Sequence, residues 1–480
     1  MNRPPVSPPN GLPALPGQPN AAPAPNPTSA PGQDQGRSSN GSGAASTTYG
    51  QYPVVPGLSP GVPVAQASAP ADTLHVTMDE ALNYFIEHNY NLIAQRFNVN
   101  LAQATVVQSG LRDNPNLSME VNAFNPQTRQ LFPFGASQAL DPNNPTGNTV
   151  LWQVQQLLNL SGSRAKLVQL SSTNAEIQQA AFEDLLRTAR YQLLQTFYNV
   201  SAERRRLDLL RKQREQLDQL LVGFREQLRL GTIPAFEVTR LELERESLEK
   251  DRSDQLVQLG MDQSALRVFL ATAGTTFIAP QGQPLLPEAP ATLPTLADLT
   301  ALAYQYRPDL RAAVRQTNYA QQNLRLQHAL AIPKLTVGVD YASYGNAYPN
   351  YYGLQTALDL PVANRNQGNI QAARVGIQQS DNYLIQSRLQ VEQDVIAAVE
   401  QLQRVTDLRR RLSPRFVASI QDVSRNATRD YQLRLIDLVS FIDKIRAYKD
   451  AQLHLIDVGN RLELAKQQIN YVTNTPVFKD

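Results

Sequence analysis

The feature that most constrains the fold is an internal duplication. The segments that begin at Thr77 and Thr295 align without a gap, and Pro115 of the first meets Pro333 of the second. Each copy has the pattern of an amphipathic helix, then the proline, then alternating apolar and polar residues typical of a strand. Because the residue before a proline is biased away from helical geometry, each helix should end just before it. The chain is therefore predicted to contain two tandem repeats.

Each repeat is predicted to contain a β-hairpin. The strands are placed at about 116–124 and 149–160 in the first copy, and at about 334–343 and 351–362 in the second. Aromatic residues lie in or beside these strands: Trp152, Tyr341, Tyr344, Tyr348, Tyr351 and Tyr352. Aromatic side chains favour a membrane–water interface, although a water-soluble hairpin can also carry them.

A very long helix should follow each hairpin. Leu186, Leu193 and Val200 repeat every seven residues in the first copy, and Val391 and Ala398 do so in the second. Sustained heptads indicate left-handed coiled packing. The first of these helices would reach roughly 100 Å at the usual rise per residue. A proline near the middle of the second arm, Pro414, is expected to kink or interrupt its helix.

Composition divides the chain into four parts. Residues 1–72 are rich in Pro, Gly, Ser and Ala, and they are predicted to be disordered, as a spacer, a wall-interacting arm or a simple tail. Residues 73–272 form the first repeat, and 295–475 form the second. The proline-rich segment 273–294 is the predicted linker between them.

Several classes of function lack their sequence signals. The chain has no Cys, and its four His show no metal-ligand spacing, so we expect no metal site, no cofactor and no enzyme activity. A net charge of +2 argues against nucleic acid as a partner. One basic run is interpreted as a solvated helix face: Arg204, Arg205, Arg206, Arg211, Lys212 and Arg214. No secretory signal is visible after the start MNRPPVSPPN.

Four strands of this length could cross a bilayer at a tilt, but they cannot close a barrel. An open edge in lipid leaves backbone groups unpaired, at a large cost. If the strands span a membrane, several copies must therefore share one barrel. Its polar face, with Glu120, Asp340, Gln355 and Asp359, would line a water-filled pore.

The sequence resembles the TolC-like outer-membrane efflux proteins over residues 73–475, nearly all of the chain predicted to be ordered. The resemblance rests on the paired openings TMDEALNYFIEHNYNL and TLADLTALAYQYRPDL, the junctions DNPNLSMEV and AIPKLTVGV, LDLPVANRNQGNIQAA, and the tip LGTIPAFEV. It implies a mainly α fold with a small β part. It also implies a homotrimer, with a twelve-strand β-barrel (four strands from each of three copies) in the outer membrane and a twelve-helix coiled-coil barrel in the periplasm.

The resemblance also implies a function. The protein would be the passive exit duct of a tripartite system, passing small molecules or metal ions from the periplasm to the exterior. Its partners would be outer-membrane lipid, a periplasmic adaptor and an inner-membrane pump of the RND or ABC type. Two alternatives stay open: a type I secretion duct for protein or peptide, and a soluble coiled-coil scaffold.

Two sets of site residues follow from the resemblance. The adaptor would dock on two turns: Leu230, Gly231 and Thr232 at the first tip, and Leu433, Arg434 and Leu435 at the second. Arg434 stands where the family usually has glycine. The periplasmic gate would involve Glu237, Asp437, Ser440 and Asp443. A ring of carboxylates on a three-fold axis attracts cations, whereas the alternative is that these aspartates are ordinary surface residues paired with Lys444 or Arg446.

Overall fold

The computed structural model describes residues 72–121, 123–125, 130–131, 149–272, 274–344 and 351–478. The predicted disorder of the N-terminal segment, and most of the two predicted loops between paired strands, lie outside these residues. The described chain is mainly helical with a small amount of sheet, which confirms the predicted fold class at that level.

The first repeat contains strands and helices in the following order: β1 (Thr73–Val76), α1 (Met78–His88), α2 (Tyr90–Gly110), β2 (Asn116–Val121), β3 (Phe124–Asn125), β4 (Gln130–Leu131), β5 (Thr149–Leu158), α3 (Ser163–Arg229) and α4 (Ala235–Phe269). Strand β6 (Phe277–Pro280) follows and pairs in parallel with β1.

The second repeat has the same order with one interruption: α5 (Leu296–Tyr306), α6 (Pro308–Leu330), β7 (Leu335–Tyr344), β8 (Tyr351–Leu358), α7 (Gln367–Arg411), α8 (Pro414–Gln432) and α9 (Leu438–Thr473). Strand β8 stops at Leu358 rather than at 362, since Pro361 follows and lacks a backbone N–H donor. A break between α7 and α8 lies at the predicted position, immediately before Pro414.

Both repeats open with a threonine whose hydroxyl caps the first helix. The Glu80 N–H donates to the Thr77 hydroxyl (3.4 Å), and the Thr77 N–H donates to the Glu80 carboxylate (2.8 Å). In the second copy the Asp298 N–H donates to the Thr295 hydroxyl (3.2 Å). These bonds satisfy N–H groups that a helix start leaves unpaired, so the duplicated Thr fixes where each repeat begins its helices.

The helices pack through their heptad positions. Leu193, Val200 and Leu217 of α3 are buried, as are Val391 and Ala398 of α7. The main helical neighbours of α3 are α2, α4, α6 and α9, and those of α7 are α6 and α9. The two repeats therefore meet side by side through α3, α6 and α9.

The linker between the repeats is bound by arginines from α3. The Arg204 guanidinium donates to the Pro280 carbonyl (3.2 Å), and Arg205 donates to the carbonyls of Pro284 (3.0 Å) and Gln283. The interpretation of this basic run as a solvated face is therefore wrong for these two residues. Proline-rich backbone offers carbonyls but few N–H groups, which explains why donors gather around it.

Arginines of the second repeat bind the same linker. Arg409 donates through Nε to the Pro287 carbonyl (2.7 Å), and Arg410 donates to the Pro290 carbonyl (3.1 Å). The carbonyl of Leu285 occupies the place where a β-carbon on Gly459 of α9 would lie. Glycine is thus required at this level of α9, and the linker ties α3, α7 and α9 together.

The first tip turn, between α3 and α4, has a left-handed residue at Gly231 (φ 71°). The Gly231 N–H donates to the Leu228 carbonyl (3.0 Å), and the Thr232 N–H donates to the Gln227 carbonyl (2.9 Å). This pair of bonds is the Schellman arrangement that ends many helices, and glycine suits it because no β-carbon is strained.

The second tip turn, between α8 and α9, repeats this geometry without a glycine. Arg434 takes the left-handed conformation (φ 58°), its N–H donates to the Tyr431 carbonyl (2.9 Å), and the Leu435 N–H donates to the Asp430 carbonyl (2.8 Å). The two tips thus have the same hydrogen-bonded turn, although the second sequence lacks both glycine and proline at this point.

A buried carboxyl group lies between α3 and α4. Glu203 is 3% exposed, and one of its oxygens and one of Asp262 are buried without a hydrogen-bond partner. Burial, with the charge of Asp262 and a hydrogen bond to it, raises the pKa of Glu203 to about 8, against a smaller opposing effect of Arg206. Glu203 is therefore mostly protonated at neutral pH.

We expect Arg434→Gly to raise the free energy of unfolding by up to about 1 kcal/mol, because a non-glycine residue in the left-handed region costs about that much. Thermal unfolding of the detergent-purified protein measures the change. Gly231→Ala at the matching position of the first tip is the control, and it should lower stability. A variant Arg434→Gly with a lower melting temperature would contradict this account of the turn.

We expect Glu203→Gln to flatten the pH dependence of stability. The native pKa of about 8 exceeds the ordinary value of about 4.3, so the native state holds a proton that the unfolded chain releases. The stabilising contribution is complete below pH about 4 and is lost as pH rises to about 8. Melting temperatures at pH 5 and pH 9 test this. The melting temperature of Glu203→Gln, relative to that of the unmodified protein, should be higher at pH 9 than at pH 5. The exposed control Glu400→Gln should show no such change.

Candidate functional site: the two-faced sheet and the helical tips

The described strands β2, β5, β7 and β8 form one antiparallel sheet in that order. The hairpins β2–β5 and β7–β8 join through β5 and β7, with Trp152 opposite Tyr341. Residues directly opposite one another in such a sheet have side chains on the same face. The register therefore assigns every strand residue to one of two faces.

One face of the sheet is apolar and exposed. Two adjacent rows across all four strands belong to it: Met119, Trp152, Tyr341 and Tyr352, then Leu117, Val154, Val339 and Leu354. Tyr352 and Leu354 are 77% and 79% exposed. An apolar patch of this extent on a protein surface marks contact with lipid or with another protein.

The opposite face is polar in two adjacent rows: Ser118, Gln153, Asp340 and Gly353, then Asn116, Gln155, Gly338 and Gln355. In the next row Glu120 lies opposite Leu151, followed by Ala342 and Tyr351. Gln155 donates to the Gln355 amide oxygen (3.0 Å), and Gln153 donates to the same atom. The Asp340 carboxylate lies over Gly353, in the space that a β-carbon would need. In these two rows bulky polar side chains thus lie beside glycines, which leaves room for them on the same face.

The two outer strands of the sheet, β2 and β8, each pair with one described strand only. Their outer N–H and C=O groups need partners from another strand or from water. The strand directions alternate across the sheet, so β2 and β8 run in opposite directions.

At the tips, side chains from both repeats form one cluster. The Tyr431 ring of α8 stacks on Phe224 of α3, with ring centroids 5.4 Å apart, and lies against Phe441 of α9. Burial raises the pKa of Tyr431, and the charge of Glu237 adds to this. Glu237 therefore lies close to the second tip, although it belongs to the first turn of α4.

The structure brings two of the predicted gate residues together. Asp437 caps α9 and accepts a hydrogen bond from the Ser440 N–H (2.8 Å). Hydrogen bonds from the Ser440 hydroxyl and N–H lower the pKa of Asp437. Asp443 is exposed two turns into the same helix. Asp437 is thus held ionised at the start of α9, where the helix dipole favours a negative charge.

The two basic residues expected to pair with the gate aspartates contact other carboxylates. Lys444 lies 3.8 Å from Asp430, and Arg446 donates through Nε to Glu244 of α4 (2.8 Å). Glu244 is buried. Sequence analysis missed this pair between α4 and α9, since residues so far apart in the chain carry no local signal of contact.

The six residues predicted to dock an adaptor form the outer surface of the two tip turns, and all of them are exposed: Leu230, Gly231, Thr232, Leu433, Arg434 and Leu435. Two leucines and an arginine project from the second turn, whereas the first presents one leucine. Within the described ranges, no group of three His, Asp or Glu side chains could hold a metal ion, and no helix is apolar and long enough to cross a membrane.

Comparison with known proteins gives two relatives in sequence. The cobalt-zinc-cadmium resistance protein CzcC of Cupriavidus metallidurans is 21% identical over 412 residues, which cover 84% of this chain and 93% of CzcC. The pyoverdine export outer membrane protein OpmQ of Pseudomonas putida is 29% identical over 171 residues, or 34% of this chain and 35% of OpmQ. No protein-family model matches the sequence.

Among solved structures, that of CusC, which was studied for folding and transmembrane channel formation, matches with a TM-score of 0.65 at 19% identity. The match covers 85% of this chain and 95% of CusC. The chain is thus homologous to CzcC and OpmQ, and it has the fold of the TolC-like outer-membrane factors.

Proposed function

We propose that the protein is the outer-membrane exit duct of a tripartite efflux system. The observation that carries this proposal is the four-stranded sheet, with one exposed apolar face, one polar face and two outer strands that, among the described residues, pair on one side only. Lipid suits the apolar face, water suits the polar face, and only closure into a barrel pairs the edges. In a soluble scaffold, an exposed row of Trp, Tyr and Met would be in contact with water, which is unfavourable.

Closure requires further copies of the chain, and three copies give twelve strands. The helices support the same assembly, because two helices of the first repeat, α2 and α4, have exposed apolar stripes. On α2 the stripe contains Tyr90, Phe97 and Leu101, and on α4 it contains Leu243 and Val268, all more than half exposed. The opposite face of α4 is buried against α3. A helix apolar on two opposite sides needs a second partner, and in the proposed ring a helix of the next copy supplies it.

For the cargo and the partners we reason by analogy with the relatives. CzcC is named for resistance to cobalt, zinc and cadmium, and OpmQ for pyoverdine export. By analogy, the duct passes metal ions or small molecules from the periplasm to the exterior. An inner-membrane pump of the RND or ABC type supplies energy, and a periplasmic adaptor docks on the two tip turns. The names of the similar proteins describe resistance, export and a channel, and none describes an enzyme.

Neighbouring residues of β8 provide a test of the duct. Leu354→Arg places a charge on the apolar face, where it costs about 2–4 kcal/mol in the middle of a bilayer. We expect fewer trimers in the outer-membrane fraction and fewer pores in planar bilayers. Gln355→Arg changes the next residue, on the polar face, and should assemble normally with altered ion selectivity. Equal assembly of both variants, or an unmodified protein that conducts no ions, would refute the proposal.

The gate carries a second prediction. Asp437→Asn with Asp443→Asn should weaken the block of single-channel current by divalent cations, because two carboxylates per copy are lost from the tip. Glu400→Gln on the surface of α7 is the control and should leave the block unchanged. Unaltered block in the double variant would show that these aspartates are only a helix cap and a surface residue.

A further inference from the structure

The linker between the repeats is held at one level of the two helical arms. Arg204 and Arg205 of α3 donate to its carbonyls, and so do Arg409 and Arg410 of α7. Each pair lies about 60–65 Å along its arm from the residue at which α3 or α7 begins, at the usual rise per residue. The two repeats therefore bring matching pairs of guanidinium groups to the same linker.

These contacts satisfy hydrogen-bond donors but not charge. A carbonyl oxygen accepts a hydrogen bond from a guanidinium group, yet it carries no full negative charge. Among the described residues, the neighbouring Arg206 lies 3.6 Å from Asp457, whereas none of the four linker-bound arginines forms an ion pair. Each of the four therefore keeps a positive charge that no contacting carboxylate offsets.

The charges of the α3 pair also act on one another. The pKa of Arg205 is lowered, first by burial and then by the charge of Arg204. Charge repulsion of this kind is relieved when an anion comes near. Both side chains are only partly buried, so an anion in the surrounding water can approach them.

Two further arginines extend the same surface. Arg411 and Arg415 are exposed, and within the described ranges neither forms an ion pair or a side-chain hydrogen bond. They flank Leu412, which packs on Leu286 of the linker, so both lie beside the linker. Their guanidinium groups are therefore free to contact another molecule.

Carboxylates are few at this level. The linker, residues 273–294, has one charged residue, Glu288, and segment 407–415 has four arginines and one aspartate. The whole chain has a net charge of +2, so positive charge is concentrated here. We call the arginines at this level the linker belt: Arg204, Arg205, Arg409, Arg410, Arg411 and Arg415.

The position of the belt limits what can bind it. Exposed charges act over only about 8 Å at physiological salt. The belt lies about 60 Å from the sheet, so lipid head groups around the sheet are too far away to neutralise it. It also lies about 35 Å from the end of α3 at Arg229, and so apart from the turns proposed to dock an adaptor. The partner is therefore an anion that surrounds the middle of the helical arms.

We propose that the linker belt binds the carboxylates of peptidoglycan, the cross-linked wall polymer whose peptides carry free carboxylate groups. The inference rests on the duct proposed above, because a duct from the outer membrane to an inner-membrane pump crosses the wall. Three copies would repeat the belt around the tube. A polymer with carboxylates at intervals then contacts several arginines at once, and such multivalent binding is stronger than any single pair.

Co-sedimentation with isolated peptidoglycan sacculi tests the belt. We expect the detergent-purified protein to sediment with sacculi at low salt and to be released as salt rises, because exposed charges are screened. Arg411→Gln with Arg415→Gln leaves the linker contacts intact and should weaken binding at least about five-fold. Arg374→Gln with Arg388→Gln removes the same charge from exposed positions of α7 outside the belt, and should bind as the unmodified protein does.

A chemical version of the test needs no variant. Converting the carboxylates of the sacculi to amides removes their negative charge and should abolish binding of the unmodified protein. Equal binding of the two double variants, or undiminished binding to amidated sacculi, would overturn the proposal. So would a loss of binding to a purified adaptor in Arg411→Gln with Arg415→Gln while binding to sacculi is unchanged, because that result assigns the belt to the adaptor.

Conduction in planar bilayers, measured on the same samples, separates this proposal from the duct. A conducting pore that never binds sacculi would overturn the belt and leave the duct. Binding to sacculi that depends on Arg411 and Arg415, in a protein that forms no pore, would refute the duct and leave the belt.

Discussion

The pairing of backbone groups at the edges of one small sheet is the constraint on which the architecture depends. A backbone N–H or C=O without a partner costs several kcal/mol in hydrocarbon, far more than any side-chain contact in the sheet returns. The described residues supply four strands to this sheet, and within them β2 and β8 each pair on one side only. In the proposed duct, lipid covers the apolar face, and lipid makes unpaired strand edges very costly. Under that proposal, association of copies is a consequence of the sheet rather than an addition to it.

The helices also lack partners in the single chain, but through their side chains rather than their backbone. The backbone groups of a helix are hydrogen-bonded within it, so what a helix lacks in the single chain is cover for its exposed apolar side chains. Helix α4 buries Leu241, Leu248 and Leu266 against its own chain and exposes Leu243 and Val268 on another side. Open strand edges and open helix faces belong to the same copy, so the interface that closes the barrel would also close the helical layer. This agreement between two kinds of structure favours a ring of identical subunits over a chance apolar surface.

The features that could be predicted from the sequence are those with a regular spacing along the chain. Repeats, heptads and alternating strands recur along the chain, so the helices, the hairpins and the two faces could be read from it. Contacts without a period could not be predicted. The arginine pair Arg204 and Arg205 looked like a solvated run, because nothing local marks a carbonyl almost eighty residues away as its acceptor. Arg434 gave no turn signal, since its left-handed conformation is imposed by the helices on both sides.

A duplicated chain cannot remain symmetric where its halves are joined, because two repeats need only one linker. Here that linker crosses the helices and draws guanidinium groups from α3 and α7 to its carbonyls. The interruption of the second arm lies at the same level, with Leu412 packed on Leu286. The arm that meets the linker with its helix end is the broken one, and the arm that meets it along its side is continuous. The single linker thus provides a physical origin for the break in one of two arms of nearly equal length.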